Sequence, residues 1–248
     1  MEGDSVLYPL NLELAGKCCV VVGGGQVAYR KVRGLLAAEA QVTVIAPMVT
    51  DDLRALAEAG RLKWLEQAFK AGLLKELRPL LVFVVADNPA ANAAAIAEAK
   101  EIGALVNAAT DPEQTDFSVP SKVQRGDFLL TVSTGGGSPA FSRLLRERLE
   151  REYPDSFGQF LERLMVLRDE IKAMPGGSRE HERLWRQSLN QGIIDLVRVG
   201  QLDQAEEEVR NGIANAGIKS QDGTCGCAGK VFHSQGSSEK RSCESGSL

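Results

Sequence analysis

Three groups of residues in this sequence have types and spacings that chemistry can use. The first is Gly23-Gly24-Gly25-Gln26-Val27-Ala28, which fits the pattern G-x-G-x-x-[G/A]. Gly23 suits a tight turn, Gly25 lets the backbone approach a pyrophosphate, and Ala28 allows a helix to pack closely on a strand. A helix opening at Gln26 leaves its first N–H groups free for an anion. The second group is a pair of acids, Asp87 in Ala86-Asp87-Asn88 and Asp111 in Asn107-Ala108-Ala109-Thr110-Asp111. Each reads either as a proton-transfer group or as turn and cap chemistry beside the neighbouring prolines. The third is Ser133-Thr134-Gly135-Gly136-Gly137, followed by Ser138-Pro139 as a helix start and by Arg143 and Arg146. This group is either a second cradle for anions or, for the arginines, a solvated face with spaced ion pairs to glutamates.

Other chemistries are poorly provided for. Only His181 and His233 are present, so a Ser-His-Asp triad or a multi-histidine metal site lacks its parts, and acid–base work falls to carboxylates. None of Tyr8, Tyr29 and Tyr153 has a Lys four residues later, which removes the Tyr-Lys pair of the short-chain alcohol dehydrogenases. The strand after the glycine motif ends in Ile45-Ala46-Pro47, with neither an acid for ribose hydroxyls nor an arginine for a 2′-phosphate. Asp51 is the nearest acid, and NAD is favoured over NADP.

These residues need elements to hold them. Lys17 to Val22 is a short apolar run of the kind buried on both faces of a sheet, and Ala28, Val32, Leu35 and Leu36 form the stripe of a following helix. Strands at Gln41–Ile45, Leu62–Leu65, Leu80–Ala86 and Ala104–Asn107 alternate with helices at Thr50–Ala59 and Pro89–Ile102. The alternation predicts an α/β fold: a Rossmann-type parallel sheet over residues 1–112 whose strand ends carry Asp87 and Asp111. Residues 113–150 form a small α+β segment with the strand Phe128–Ser133 and a helix from Pro139. Residues 151–216 read as two or three further helices, and 217–248 as a disordered tail holding Cys225, Cys227, His233 and Cys243. The tail's spacing matches no compact zinc finger. Cys18 and Cys19 read as buried small residues.

Composition agrees with a folded, soluble chain. The 248 residues are 44% hydrophobic, and 29 Lys and Arg against 33 Asp and Glu leave a net charge of -4. No global positive field draws such a chain to nucleic acid or anionic lipid. The longest apolar run, Leu80–Ala86, is far short of a membrane span, and the reading is a cytoplasmic protein.

Gly23 to Lys31, Ala86-Asp87-Asn88 with Asn92, Val106 to Pro112 with Asp116-Phe117 and Pro120, and Ser133 to Pro139 with Arg143 to Arg146 together resemble the precorrin-2 dehydrogenase family. That family includes the dehydrogenase and ferrochelatase module of siroheme synthase. The resemblance covers most of residues 5 to about 200 in order. It implies a homodimer, with 113–150 as the dimerisation segment. It also implies oxidation of precorrin-2 to sirohydrochlorin with NAD⁺ and, in many members, insertion of Fe²⁺ as second substrate. The NAD-binding residues it implies are Gly23, Gly25, Gln26, Val27, Ala28, Ala46, Pro47, Asp87 and Asn88. Ser133, Thr134, Gly135, Arg143 and Arg146 would meet the carboxylate-rich tetrapyrrole, with Lys122 and Arg125 as further candidates. The family's catalytic Asp falls on Thr110 here and Asp111 stands one place later, so Asp111 is assigned the acid–base role and Thr110 lines the site. Two other readings stay open: an NAD-binding sensor or scaffold without catalysis, and a chelatase or metal chaperone lacking dehydrogenation.

Overall fold

The computed structural model describes residues 6–221, and the chain divides into two compact units between Pro120 and Ser121. In the first unit the strands are β1 (Cys18–Val22), β2 (Gln41–Ala46), β3 (Lys63–Glu66), β4 (Leu81–Val84) and β5 (Leu105–Ala108), and every pairing between them is parallel. Their order is β3-β2-β1-β4-β5, so the chain winds outward from β1 on one side and then crosses over to continue on the other. Such a reversal opens a crevice at the carboxyl ends of the strands on either side of it, here β1 and β4. Val22 pairs with Ile45 and Val84, and Val84 with Ala108, so β1, β2, β4 and β5 finish at one edge.

Alternation along β1 explains how both faces are filled. Cys19 and Val21 enter one core with Ala28, Val32 and Leu35 of α1 (Gln26–Ala37) and Leu53 of α2 (Asp51–Glu58). Val20 and Val22 enter the other, with Leu74 of α3 (Leu73–Leu77) and Ala95, Ile96 and Ala99 of α4 (Pro89–Glu101). Cys19 is fully buried and its thiol is pushed up to about 11 by that burial, with Cys18 adding to the effect. Both cysteines are unpaired; Cys19 is the buried small residue expected, while Cys18 is only partly buried.

The sheet and helix pattern matches the sequence reading, with differences at the ends. The strand expected over Leu80–Ala86 stops at Val84: the Val85 N–H still reaches the Val22 carbonyl at 2.9 Å, but Ala86 turns off toward α4. Thr50 is the N-cap of α2, its hydroxyl accepting from the Leu53 N–H at 3.4 Å. The short helix α3 offers only one turn of apolar spacing, Leu73, Leu74 and Leu77, too little to announce it. It is held by Glu98 of α4, whose carboxylate accepts the N–H groups of Gly72 and Lys75, each at 2.9 Å.

The second unit opens with an antiparallel hairpin, β6 (Ser121–Arg125) and β7 (Phe128–Val132). After it come α5 (Pro139–Glu152), α6 (Ser156–Ala173), α7 (Ser178–Ser188), α8 (Gln191–Arg198) and α9 (Leu202–Gln221). Sequence reading expects two or three helices after α5, whereas four follow it among the described residues. Breaks at Gly176-Gly177, at Asn190 and at Gly200 split the run into shorter pieces than the apolar spacing suggests. Phe160, Leu167, Ile193, Val197, Leu202, Ala205 and Val209 form the core of this bundle. Helix α9 continues past Ala216 to Gln221; Cys225, Cys227, His233 and Cys243 lie outside the described residues. Among the described residues no helix is long and apolar enough to cross a membrane.

Candidate functional site

The glycine turn joins β1 to α1, and its three glycines meet three different surroundings. Gly23 has φ +127, and a Cβ there would lie 2.8 Å from the Val85 carbonyl and 2.9 Å from the Ala86 nitrogen, so the turn rests directly on the end of β4. A Cβ on Gly24 would come within 2.0 Å of the Met48 oxygen, and the Gly24 carbonyl accepts the Thr50 N–H at 2.9 Å. The turn is thereby clamped to the loop between β2 and α2. At Gly25 a Cβ would meet nothing within 4 Å, so this glycine alone of the three faces open space.

Gly25 is also the N-cap of α1, and it supplies no side chain to bond the first N–H groups of Gln26, Val27 and Ala28. No acidic residue stands in the first turn. Gln26 and Val27 are exposed, while Ala28 is fully buried where helix meets strand. Open approach to Gly25, uncapped N–H groups and the positive end of the helix dipole make a fitting seat for a pyrophosphate. The residues present fit a dinucleotide.

At the end of β2, Ala46 is buried and Pro47 exposed, and neither side chain carries a polar group. The Ala46 carbonyl is taken by the Trp64 indole N–H at 2.9 Å, and the Arg54 guanidinium lies 5.2 Å from the Trp64 ring centroid. That cation–π contact occupies Arg54. Asp51 and Asp52 fill the first turn of α2.

The ends of β4 and β5 carry the two acids. Asn88, not Asp87, caps α4: its side-chain oxygen accepts from the N–H groups of Ala90 and Ala91 at 3.0 and 3.2 Å. Asp87 is exposed, and its carboxylate has no hydrogen-bond or ion-pair partner among the described residues. Asp111 precedes a short 3₁₀ turn, Pro112–Gln114, but the turn is closed by backbone, the Gln114 N–H reaching the Asp111 carbonyl at 3.2 Å. The Asp111 side chain makes no cap bond, so its carboxylate is uncommitted, which a turn-forming role alone does not require.

The loop that bears Thr110 and Asp111 is pinned back on β5 by residues that sequence reading did not assign. The Thr115 hydroxyl accepts from the Ala108 N–H at 3.0 Å, and the Asp116 carboxylate accepts from the Val106 N–H at 2.8 Å. Buried Asn107 donates from its side-chain amide to the Phe117 carbonyl at 2.8 Å, and Phe117 stacks edge-on against Phe83 with ring centroids 5.4 Å apart. A Thr and an Asp spaced for side-chain bonds to a preceding strand are the signal that could have found this clasp. Over Phe83 also lies the Lys31 ammonium, 5.4 Å from the ring centroid, with burial and then nearby Arg30 lowering its pKa below the ordinary lysine value.

In the second unit, Thr134 organises the other glycine cluster. Its hydroxyl accepts from the Ser138 N–H at 3.2 Å and lies 3.0 Å from the hydroxyl of buried Ser142, while Ser138 caps α5 by accepting from the Phe141 N–H at 3.2 Å. Ser133 accepts from the Gly135 N–H at 3.3 Å. Arg143 pairs with Glu147 at 2.8 Å, and Arg146 pairs with Glu150 and Glu147. Both arginines therefore make spaced ion pairs along α5. Arg125, expected among the carboxylate-binding candidates, is spent otherwise. Its guanidinium donates to the carbonyls of Glu150 and Tyr153 at the end of α5 and pairs with Asp155 at 2.9 Å. Lys122 is exposed on β6. The structure thus gathers Gly23 to Ala28, Ala46, Pro47, Asp87, Asn88, Thr110 and Asp111 along one sheet edge of the first unit, and Ser133 to Arg146 in the second.

Comparison with known proteins agrees with this layout. An NAD(P)-binding family model matches residues 10–121, and the sirohaem biosynthesis protein central model matches residues 130–152. Siroheme synthase 1 of Pectobacterium atrosepticum is 35% identical over 207 residues, covering 84% of this chain and 43% of that protein. The siroheme synthase of Nitrosococcus oceani is 36% identical over 198 residues, 80% of this chain and 42% of its own. The chain thus spans less than half the length of the curated relatives it matches. Among solved structures, SirC, a precorrin-2 dehydrogenase, superposes with a TM-score of 0.67 at 25% identity, covering 84% of this chain and all of that one. Sequence, fold and glycine turn agree: residues 10–121 match the NAD(P)-binding family and residues 130–152 the sirohaem biosynthesis protein central family, and the chain is similar both to siroheme synthases and to a precorrin-2 dehydrogenase.

Proposed function

We propose that this chain oxidises precorrin-2 to sirohydrochlorin with NAD⁺ as acceptor. The observation that carries the reading is a coincidence on one sheet edge: a glycine turn open at Gly25 beside β4 and, at the end of the next strand, an uncommitted carboxylate at Asp111. NAD⁺, when bound, accepts a hydride from a reduced carbon of the macrocycle. The protein's part is to take the proton that leaves with it, and Asp111 is the base for that step. The free N–H groups at the start of α1 hold the pyrophosphate, with Gln26, Val27, Ala46, Pro47, Asp87 and Asn88 along the dinucleotide. Thr110 lines the site beside Asp111. Ser133, Thr134, Gly135, Arg143 and Arg146 receive the substrate's carboxylates, which compete with Glu147 and Glu150 for the two arginines.

Ferrous iron insertion is the companion step in this proposal, with Fe²⁺ as substrate. The macrocycle nitrogens bind the iron and surrender two protons, for which Asp111 again serves. The working protein is a homodimer in the cytoplasm, joined through residues 113–150, where Phe141 and Leu144 of α5 are 52% and 59% exposed, unusual for large apolar side chains. The test is incubation with precorrin-2 and NAD⁺, then Fe²⁺ or Co²⁺, with absorption spectra after each addition. Asp111→Asn is expected to slow NADH formation by about a hundredfold or more, the usual share of a positioned base. Unchanged turnover of D111N in both steps rejects the assignment. A sensor without catalysis has Thr110 in its favour; NAD⁺ binding with no NADH formed selects it.

A further inference from the structure

Among the described residues, Oδ1 of Asn92 is the buried side-chain polar atom left without a hydrogen-bond partner. Asn92 is 6% exposed and sits early in α4. Its orientation is fixed, because Nδ2 donates to the Ala86 carbonyl at 2.7 Å and a flipped amide would set oxygen against oxygen. A buried acceptor without a donor works against folding, and a leucine of similar shape would avoid that penalty. The atom's position suggests what it serves. Ala86 is the residue whose nitrogen lies against Gly23 of the glycine turn, and its carbonyl is the one Asn92 holds. The vacant acceptor therefore belongs to a residue that holds the strand end on which the glycine turn rests.

A pyrophosphate has no hydrogen to give, so the missing donor belongs to another part of the dinucleotide. The Thr50 N–H bond to Gly24 ties the β2 side of the turn to the loop where the adenosine half lies in this class of sheet. The β4 side, where Asn92 stands, faces the nicotinamide half, whose ribose hydroxyls are the donors closest to the pyrophosphate. We infer that Asn92 is a binding residue for the nicotinamide-side ribose: Oδ1 accepts a ribose hydroxyl while Nδ2 holds the Ala86 carbonyl that borders it. Admitting the hydroxyl requires the exposed Asp87-Asn88 loop to move aside. The inference rests on the dinucleotide reading above and extends it to a residue with no assigned role.

The test measures dissociation constants of NAD⁺, ADP-ribose and ADP for the wild type and Asn92→Leu, with the melting temperature of each protein. ADP-ribose carries the second ribose and ADP does not. N92L is expected to bind NAD⁺ and ADP-ribose about tenfold more weakly and to bind ADP as the wild type does, while its melting temperature sets relief of the orphaned Oδ1 against loss of the Nδ2 bond to the Ala86 carbonyl. Equal weakening of all three ligands, or no weakening, overturns the inference, because Asn92 would then serve only the fold or a bound water. If N92L does not fold, Asn92→Ala is judged by the same ligand pattern. A wild type that binds none of the three overturns the dinucleotide reading itself, which separates that failure from this one.

Discussion

Placing a methyl group on each of two glycines of the turn separates folding from binding. Gly25 has φ -85 and ψ -171, values that alanine adopts freely, and a Cβ there meets nothing within 4 Å. Alanine is a poorer N-cap than glycine by roughly 1 kcal/mol, offset by about 0.4–1 kcal/mol from the reduced freedom of the unfolded chain. Gly25→Ala should therefore change stability by no more than about 0.6 kcal/mol, within a few degrees of the wild-type melting temperature. Its methyl group nevertheless occupies the approach of the pyrophosphate. Losing even two of the backbone hydrogen bonds to a charged phosphate, at about 1.5 kcal/mol each, weakens NAD⁺ by about a hundredfold.

Gly23→Ala behaves in the opposite sense. The φ of +127 is strained for any side chain, by about 1–3 kcal/mol, and the Cβ would press on the Val85-Ala86 backbone at 2.8 to 2.9 Å, adding overpacking of about 1–3 kcal/mol. The expected loss of roughly 2–6 kcal/mol lowers the melting temperature of the first unit by about 10 °C or more. Circular dichroism melts and NAD⁺ titrations on both variants decide the matter. If G25A binds NAD⁺ like the wild type, or melts as low as G23A, the account of the turn is wrong.

Two further outcomes follow from buried charges. Glu98→Ala removes the carboxylate that accepts the Gly72 and Lys75 N–H groups and should destabilise the first unit by about 2–3 kcal/mol, read from denaturant midpoints at unchanged slope; loss below about 0.5 kcal/mol would mean α3 holds itself. Lys31 has its pKa lowered from the ordinary 10.5 by burial, so between the lowered value and 10.5 the unfolded chain binds more protons than the folded one and stability rises with pH. Lys31→Met should flatten that rise while leaving neutral-pH stability equal or higher, measured by thermal melts from pH 7 to about 10.5; an unchanged pH slope assigns it to another group.

The fold was legible wherever the chain makes its own case locally. β1 is an unbroken apolar run and β2 a β-branched one, α1 and α4 have caps or stripes, and the glycine turn falls between strand and helix, so type and order follow from residue spacing. What sequence could not supply are elements and bonds made by tertiary contact. Helix α3 depends on a carboxylate 26 residues from Gly72, and the strand ladder at β4 ends early because Ala86 is claimed by Asn92. Arg125 illustrates the same limit at the candidate site. By type it is a carboxylate ligand, yet the distant end of α5 takes its guanidinium. The uncapped helix start at Gly25 was readable because its meaning lies in what the sequence lacks, a capping side chain and an acid in the first turn.

If Asp111 is the base, as proposed above, in place of an acid at position 110, the one-place displacement is a serious matter only if strand alternation governs these positions. In a strand, a shift of one residue turns a side chain to the other face. β5 ends at Ala108, however, and residues 110 and 111 lie in the loop between that strand and the 3₁₀ turn. The loop's two ends are fixed, by the Ala109 N–H donating to the Val84 carbonyl at 3.1 Å and by the Ala108 N–H donating to the Thr115 hydroxyl at 3.0 Å. Between those anchors the direction of each side chain is set by the loop path and not by parity, so an acid one place later can reach the same space as one at 110. The clasp then acquires a functional reason: an acid on a loop must be held as firmly as one on a strand if it is to meet a substrate proton within hydrogen-bond reach. Thr115→Val, which removes the hydroxyl at nearly constant volume, should therefore lower turnover more than it lowers the melting temperature. Equal retention of turnover and stability would show that the loop is positioned without its clasp.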